Sequence, residues 1–452
     1  MADEPVLRRR NAGILLHPTS LPDGRIGESA FAFVDFLRSA GCGVWQVLPL
    51  GPTGHARSPY SLVSAFAGAA RLLPDGILQG KPGGGHELAD FIERERSWLQ
   101  DYALFAVLKN VVSDAPWWQW PAELRDRQPG PVAALMNRRA DDVADVFRRQ
   151  FLFSRQCDSL RRYANDRGIL VYGDLPMFPV ADSADVWVNR HLFKLEADGR
   201  ASVTAGVPPD LFAEDGQSWG NPVFDWAAMR DEGFRWWRDR VRHELRRFDL
   251  LRWDHFRGLV ATWEIPQAAK TAREGEWRDV PGQELLAVLR RDLGALPLIA
   301  ENLGIITPEV ERLRHDFALP GMHVFQFAFD GTEGNPHLPR NHETQGVAYT
   351  GTHDNDTTLG WFQSLAPEVR TGVLNETGGE EADMPWPAIR AVLRSRARLA
   401  MVPMQDYLGL CSAHRMNRPG VAEGNWLWQL GRGDLSETLA ARIRESVEAA
   451  GR

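Results

Sequence analysis

Three acidic residues stand where apolar, strand-like runs end: Asp254 in LLRWDHFRG, Glu301 in LPLIAENLG and Asp354 in VAYTGTHDND. An unpaired carboxylate is costly to bury, so these positions need a partner, a shifted pKa or a use. Residues i and i+2 of a strand share a face, which puts Arg252 beside Asp254 and turns Trp253 the other way. An arginine beside a carboxylate favours its ionised form, which suits a nucleophile; a structural ion pair would look the same. Glu301 follows the apolar LPLIA and precedes a turn. Half-sheltered carboxyls of this kind hold a proton near neutral pH and can donate it, although a loop or capping carboxylate is the alternative. Asp354, next to His353, could bind sugar hydroxyls; with Asp356 the three also allow a metal reading, but no further His–carboxylate cluster at ligand spacing supports one, so no metal is expected. Two carboxylates about 5–5.5 Å apart across a glycosidic bond are the requirement for cleavage with retention of configuration.

Such groups need elements that carry them to one place. Eight short apolar runs fit buried strands: 12–17, 43–50, 168–177, 250–256, 296–303, 323–329, 346–354 and 399–409. Stretches with apolar residues at helical spacing alternate with them, at 28–41, 237–249, 282–294, 307–317 and 386–400. Thr307 and Pro308 fit the N-cap and first turn of one of these helices. The alternation predicts a (β/α)8 barrel, whose active sites draw on the C-terminal ends of the strands. Spacing is uneven. The barrel is expected over residues 11–430, interrupted by a mainly helical insertion at about 51–167 and a loop-rich one at about 178–249, with a surface helix in 431–452. The link 330–345 is short for a helix, so one barrel unit should be irregular.

Composition narrows the class. The 452 residues are 44% hydrophobic and 25% charged, with net charge −8 and no basic stripe, which disfavours nucleic acid. No run is apolar enough for a membrane span, and no signal-peptide pattern opens the chain. Three widely separated cysteines, Cys42, Cys157 and Cys411, read as reduced thiols of a cytoplasmic protein. The 17 tryptophans exceed what packing commonly uses, and some should stack on sugar rings.

Many ordered motifs then carry a family likeness: HPTSLP (17–22), WQVLPLGPTG (45–54), SPY with SAFAG (58–68), GDLPMF (173–178), DSADVW (182–187), AGVPPDLF (205–212), GQSWGNP (216–222), DHFRG (254–258), AENLG (300–304), GTHDNDTT (351–358), and RMNRPG with EGNW (415–426). Together they closely resemble the 4-α-glucanotransferases of the amylomaltase or disproportionating-enzyme type, glycoside hydrolase family 77. The resemblance implies a barrel related to the α-amylases and transfer of α-1,4-glucan segments between maltooligosaccharides, with no cofactor and no obligate protein partner. It implies Asp254 as nucleophile, Glu301 as general acid/base and Asp354 as transition-state stabiliser. Arg252 and His353 would support the nucleophile and its sugar, Asp174 would lie near that subsite, and Tyr60 would stack on the same sugar. Gln217 and Trp219 would line the acceptor side, and Asn417 would sit in a loop over the cleft. Loops carrying Trp219, Trp426 and Trp428 would exclude water, favouring transfer.

The chain departs from the family pattern in places. Trp253 replaces an aliphatic residue and should repack against helices. Asn302 replaces the commoner acid of AEDLG, removing a charge beside Glu301. GHARSPYS stands for the usual GYGDSPYQ, with His55, Arg57 and Ser61 bearing on secondary glucan contacts. A hydrolase on the same barrel, or a non-catalytic glucan-binding barrel, are the competing readings.

Overall fold

The structure is a computed structural model that describes residues 7–54, 57–79, 85–112, 114–209, 214–421 and 423–452. His55 and residues 210–212 of the AGVPPDLF motif lie outside the described residues.

Twelve strands are present among the described residues: β1 (Asn11–Leu15), β2 (Val44–Gln46), β3 (Leu170–Leu175), β4 (Val203–Val207), β5 (Gln217–Pro222), β6 (Leu250–Trp253), β7 (Ala261–Pro266), β8 (Glu276–Asp279), β9 (Leu298–Ala300), β10 (Gly321–Val324), β11 (Gly346–Tyr349) and β12 (Leu399–Pro403). Eight of them form a parallel sheet in the order β10-β11-β12-β1-β2-β3-β6-β9. Ala300 N donates to Pro320 O at 2.8 Å, joining the two ends and nearly closing a (β/α)8 barrel. Each of the eight apolar runs contributes one barrel strand. The run 323–329 is mostly not strand: after Val324 the chain tightens into a 3-10 turn at Phe325–Phe327. Between β10 and β11 there are only short 3-10 turns, so this unit lacks its helix.

The alternation of side chains sorts the core. Tyr172, Leu250, Ile299, Met322, Val324, Val347, Tyr349, Leu399 and Met401 fill the barrel interior. Their neighbours Leu251, Trp253, Leu298, Ala300 and Ala348 face the surrounding helices. Trp253 stacks on Trp237 of the helix Arg235–Arg247, with ring centroids 4.9 Å apart. Gly173 faces outward between Tyr172 and Asp174, where a Cβ would lie 2.4 Å from the Phe248 ring. Helices Arg96–Val112 and Ala140–Asn165 dominate the segment between β2 and β3.

The stretch expected to be loop-rich holds β4 and β5. These belong to a four-stranded antiparallel sheet, β5-β4-β7-β8, completed by β7 and β8 from the connection after β6. The strand β5, QSWGNP, is mostly exposed, which removes the apolar alternation that announces strands in sequence. The last helix, Glu437–Ala449, buries Ala440, Ile443 and Val447. Among the described residues no helix is long and apolar enough to cross a membrane.

Candidate active site

Register brings the acids together. Asp174 and Arg252 are paired residues of β3 and β6, and Trp253 pairs with Ala300 of β9. Past the strand ends the pairing continues, with Asp254 N donating to Leu175 O at 3.1 Å and Glu301 N to Trp253 O at 3.1 Å. Inward-facing parity therefore places Asp174, Arg252, Asp254 and Glu301 around one end of the barrel.

Arg252 is the hub. It donates from Nη2 to Asp254 Oδ1 at 2.6 Å and from Nη1 to Asp174 Oδ2 at 2.7 Å. Tyr60 O–H donates to the same Asp174 oxygen at 2.8 Å. Burial raises the Asp174 pKa, with Arg252 pulling the other way, and its Oδ1 is buried without a hydrogen-bond partner among the described residues. Among the described residues no protein hydrogen bond holds Asp254 Oδ2, so one oxygen of this carboxylate is anchored and the other is available.

Glu301 is held differently. Its two oxygens accept from the backbone, Oε2 from His255 N at 2.7 Å and Oε1 from Leu303 N at 2.9 Å. The first bond exists because His255 adopts a left-handed backbone, φ 52° and ψ 52°, immediately after Asp254. Burial pushes the Glu301 pKa up to about 8; Arg252 pulls it down, Asp254 pushes it further up and the backbone donors lower it. Two neighbouring carboxyls thus have opposed environments, one ion-paired and one desolvated.

Asp354 reaches the centre on the loop after β11. Buried Asp406 pins that loop at both ends, accepting from Thr350 Oγ1 at 2.6 Å and from Thr358 N at 2.7 Å. Burial alone would raise the Asp354 pKa, but His353 at 3.4 Å, Asn417 and Arg252 outweigh it and hold the carboxyl well below the usual range. Asn417 Nδ2 donates to Asp354 Oδ1 at 2.6 Å, and Arg415 Nη2 to its backbone carbonyl at 2.9 Å. The RMNRPG loop is thereby fastened to the acid.

Aromatic rings flank the acids. Tyr60 stacks on His353 at 5.1 Å, and Trp426 leans on both at 6.3 and 6.0 Å. On another side, Trp219 stands edge-on to His255 at 4.8 Å and is 38% exposed, with its Nε1–H donating to Gln217 Oε1 at 3.3 Å. Trp428 instead packs against the main core. Asp174, Arg252, Asp254, Tyr60, His353, Asp354 and Asn417 are linked by hydrogen bonds, ion pairs or ring stacking, while Glu301 joins through the His255 N–H and Trp219, with Gln217, through the His255 ring. His255 and Arg415 were not anticipated, because the first acts through a backbone conformation and the second through a loop contact. Their only sequence signal was membership of DHFRG and RMNRPG.

Asn302 is used on both sides, accepting from Met322 N at 2.8 Å and donating to Glu311 Oε1 at 2.8 Å. Its amide donor explains why an uncharged residue fits here: an aspartate would set a second carboxylate against Glu311. Among the described residues Glu311, His315 and Glu343 are grouped closely enough for a metal, yet the Arg314 guanidinium already donates to all three. Ser61 closes the turn that carries Tyr60, its N–H donating to Ser58 O at 3.0 Å.

Known proteins resemble this chain along nearly its whole length. The family model described as 4-alpha-glucanotransferase matches residues 16–75 and 78–434. A 4-alpha-glucanotransferase of Thermus thermophilus is 43% identical over 97% of this chain and 98% of its own. One from Synechocystis is 42% identical over 99% of both. Among solved structures, the amylomaltase from Streptococcus agalactiae in complex with acarbose superimposes with TM-score 0.94 at 33% identity, covering 98% of this chain and 100% of its own. The chain belongs to glycoside hydrolase family 77, the 4-α-glucanotransferases.

Proposed function

We propose that the protein is a 4-α-glucanotransferase that moves α-1,4-glucan segments by a retaining double displacement, with Asp254 as nucleophile, Glu301 as acid/base and Asp354 as stabiliser of the charged transition state. The observation that carries this assignment is the contrast between the two strand-end carboxyls: Asp254 paired to Arg252 at 2.6 Å, and Glu301 pushed up to about 8. Asp254 Oδ2 attacks the anomeric carbon, and the bond to the leaving chain breaks. The Glu301 proton passes to the departing O4, leaving a glycosyl ester on Asp254. A second glucan or glucose then enters. Its 4-hydroxyl gives its proton to Glu301, its oxygen forms the new glycosidic bond, and Asp254 is released as carboxylate.

Each remaining residue has a place in this reading. Arg252 holds the nucleophile and Asp174 in register. Tyr60, over His353, offers a flat face to the sugar bound at the nucleophile, and the free Asp174 Oδ1 takes one of its hydroxyls. Gln217 and Trp219, on the exposed strand β5, meet the acceptor. Asn417 and Trp426 cover the cleft and keep water from the ester, so that a sugar wins the competition. The chemistry returns the enzyme to its starting state and needs no cofactor. A cytoplasmic location belongs to the same reading, supported by Cys42 and Cys157, free thiols that burial raises to about 12.

The test is incubation of the pure protein with maltotriose. Transfer yields glucose and a ladder of longer maltodextrins at constant total reducing ends; rising reducing ends would mean hydrolysis. Asp254→Asn should abolish the ladder with the near-UV spectrum unchanged, and a variant that still builds it would refute the nucleophile assignment.

A further inference from the structure

Next to the Tyr60–His353 layer, and sharing Trp426 with it, lies a cavity of about 660 Å3 whose wall includes His17, Thr53, Arg57, Arg71 and Trp426. Trp426 belongs to both spaces, since its ring also leans on Tyr60 and His353. His17 is 2% exposed, and its Nδ1 is buried without a partner among the described residues. Burial, then the charges of Arg71 and His353, lower its pKa to about 3, so the ring stays neutral.

Two cations share this wall. Among the described residues neither Arg57 nor Arg71 forms an ion pair or a hydrogen bond. The lining carboxylate, Asp23, accepts from Arg25 N at 3.1 Å and is paired to neither. Burial first, and then the charge of Arg57, lower the Arg71 pKa, as two like charges in one cleft do to each other. Arg57 also stands at φ 53°, a backbone region that a non-glycine residue enters at a cost. Two guanidiniums without a counter-ion among the described residues, beside a catalytic cleft, are a feature that packing does not ask for.

We propose that this cavity holds a phosphorylated carbohydrate, a maltooligosaccharide or glucan bearing a phosphate monoester, with its sugar against Trp426 and its phosphate between Arg57 and Arg71. A neutral hydroxyl can accept from a guanidinium but leaves the repulsion between the two cations standing. A phosphate dianion neutralises both and accepts forked hydrogen bonds from each. Trp426, which lines the cavity and also leans on Tyr60, selects a sugar ester over a free anion. The inference rests on the glucan-transfer reading of the adjoining centre.

The experiment compares maltotriose with maltotriose carrying a 6-phosphate at either end. Isothermal titration calorimetry on the inactive Asp254→Asn protein measures binding, and transfer kinetics on the active protein measure use. At low ionic strength one phosphate ester should bind at least about tenfold tighter than the neutral sugar, and R57Q with R71Q should erase that preference. Added salt should shrink it. Equal binding of ester and neutral sugar, or a preference that survives both substitutions, overturns the proposal. Inorganic phosphate is titrated separately: weaker binding than the ester supports a sugar-phosphate site, and equal binding overturns the carbohydrate part. Failure of neutral maltotriose to be transferred would count against the transferase reading alone, because the calorimetric preference is read without turnover.

Discussion

Replacing Glu301 by glutamine should abolish transfer and yet stabilise the protein progressively as the pH rises. Burial above all raises this carboxyl from its ordinary 4.5 to about 8. Below pH 4.5 it is protonated in both folded and unfolded chains and costs nothing. Between 4.5 and 8 the unfolded chain releases the proton while the folded one keeps it, so stability falls by about 1.36 kcal/mol per pH unit. Above about 8 both states are ionised and the loss stops growing. Integrated from pH 5 to pH 8, Glu301 costs about 3–4 kcal/mol. Glutamine does not titrate, and it keeps only one carbonyl for the two donors His255 N and Leu303 N. The orphaned N–H costs about 1–3 kcal/mol at every pH. The stability gap between variant and parent should therefore move by about 3–4 kcal/mol in favour of glutamine across that range. At about 2.1 cal/mol/K per residue over 452 residues this is roughly 4 °C in Tm. Calorimetric melts of both proteins at pH 5, 6, 7 and 8 measure it. A gap that stays constant, or that moves towards the parent as pH rises, would refute the claim that the folded protein holds this proton.

Three further outcomes follow from the same contacts. Because the first step needs Glu301 protonated, kcat/KM for maltotriose should fall as pH rises through about 8; a profile level to pH 9.5 would remove Glu301 as the acid. Asn417→Ala removes the 2.6 Å bond to Asp354, so the acid limb of kcat/KM should move to higher pH, with a loss of about tenfold at neutrality; an unmoved acid limb would show that Asn417 does not hold Asp354 ionised. Tyr60→Phe keeps the ring over His353 and deletes only the hydroxyl bound to Asp174, and kcat/KM should drop by roughly tenfold with the melting temperature within a few degrees of the parent; full activity would mean that the hydroxyl is dispensable.

Some parts of the protein were written locally and some were not. Each barrel strand is a short run of apolar residues, because a strand covered on both faces must be apolar along its length, and all eight were visible for that reason. Parity within LLRWDHF sufficed to pair Arg252 with Asp254, since i and i+2 share a face whatever the strand packs against. Trp253 facing the helices followed from the same rule. By contrast, the second sheet was invisible, because β5 is an exposed edge strand and the sheet joins β4 and β5 to β7 and β8 from the other side of β6.

The residue types, their order and their positions at strand ends belonged to the sequence, and with the ordered motifs they determined the family and its chemistry. Strand parity already paired Arg252 with Asp254 and the apolar run already sheltered Glu301; tertiary structure decided how firmly each acid is held and by which partners. That decision depends on Arg252 reaching Asp174 across the β3–β6 register, on a left-handed His255 turning its N–H to Glu301, and on Asp406 and Asn417 fixing the loop of Asp354. Burial and non-local hydrogen bonds set a pKa, and neither exists until the chain has closed into its barrel.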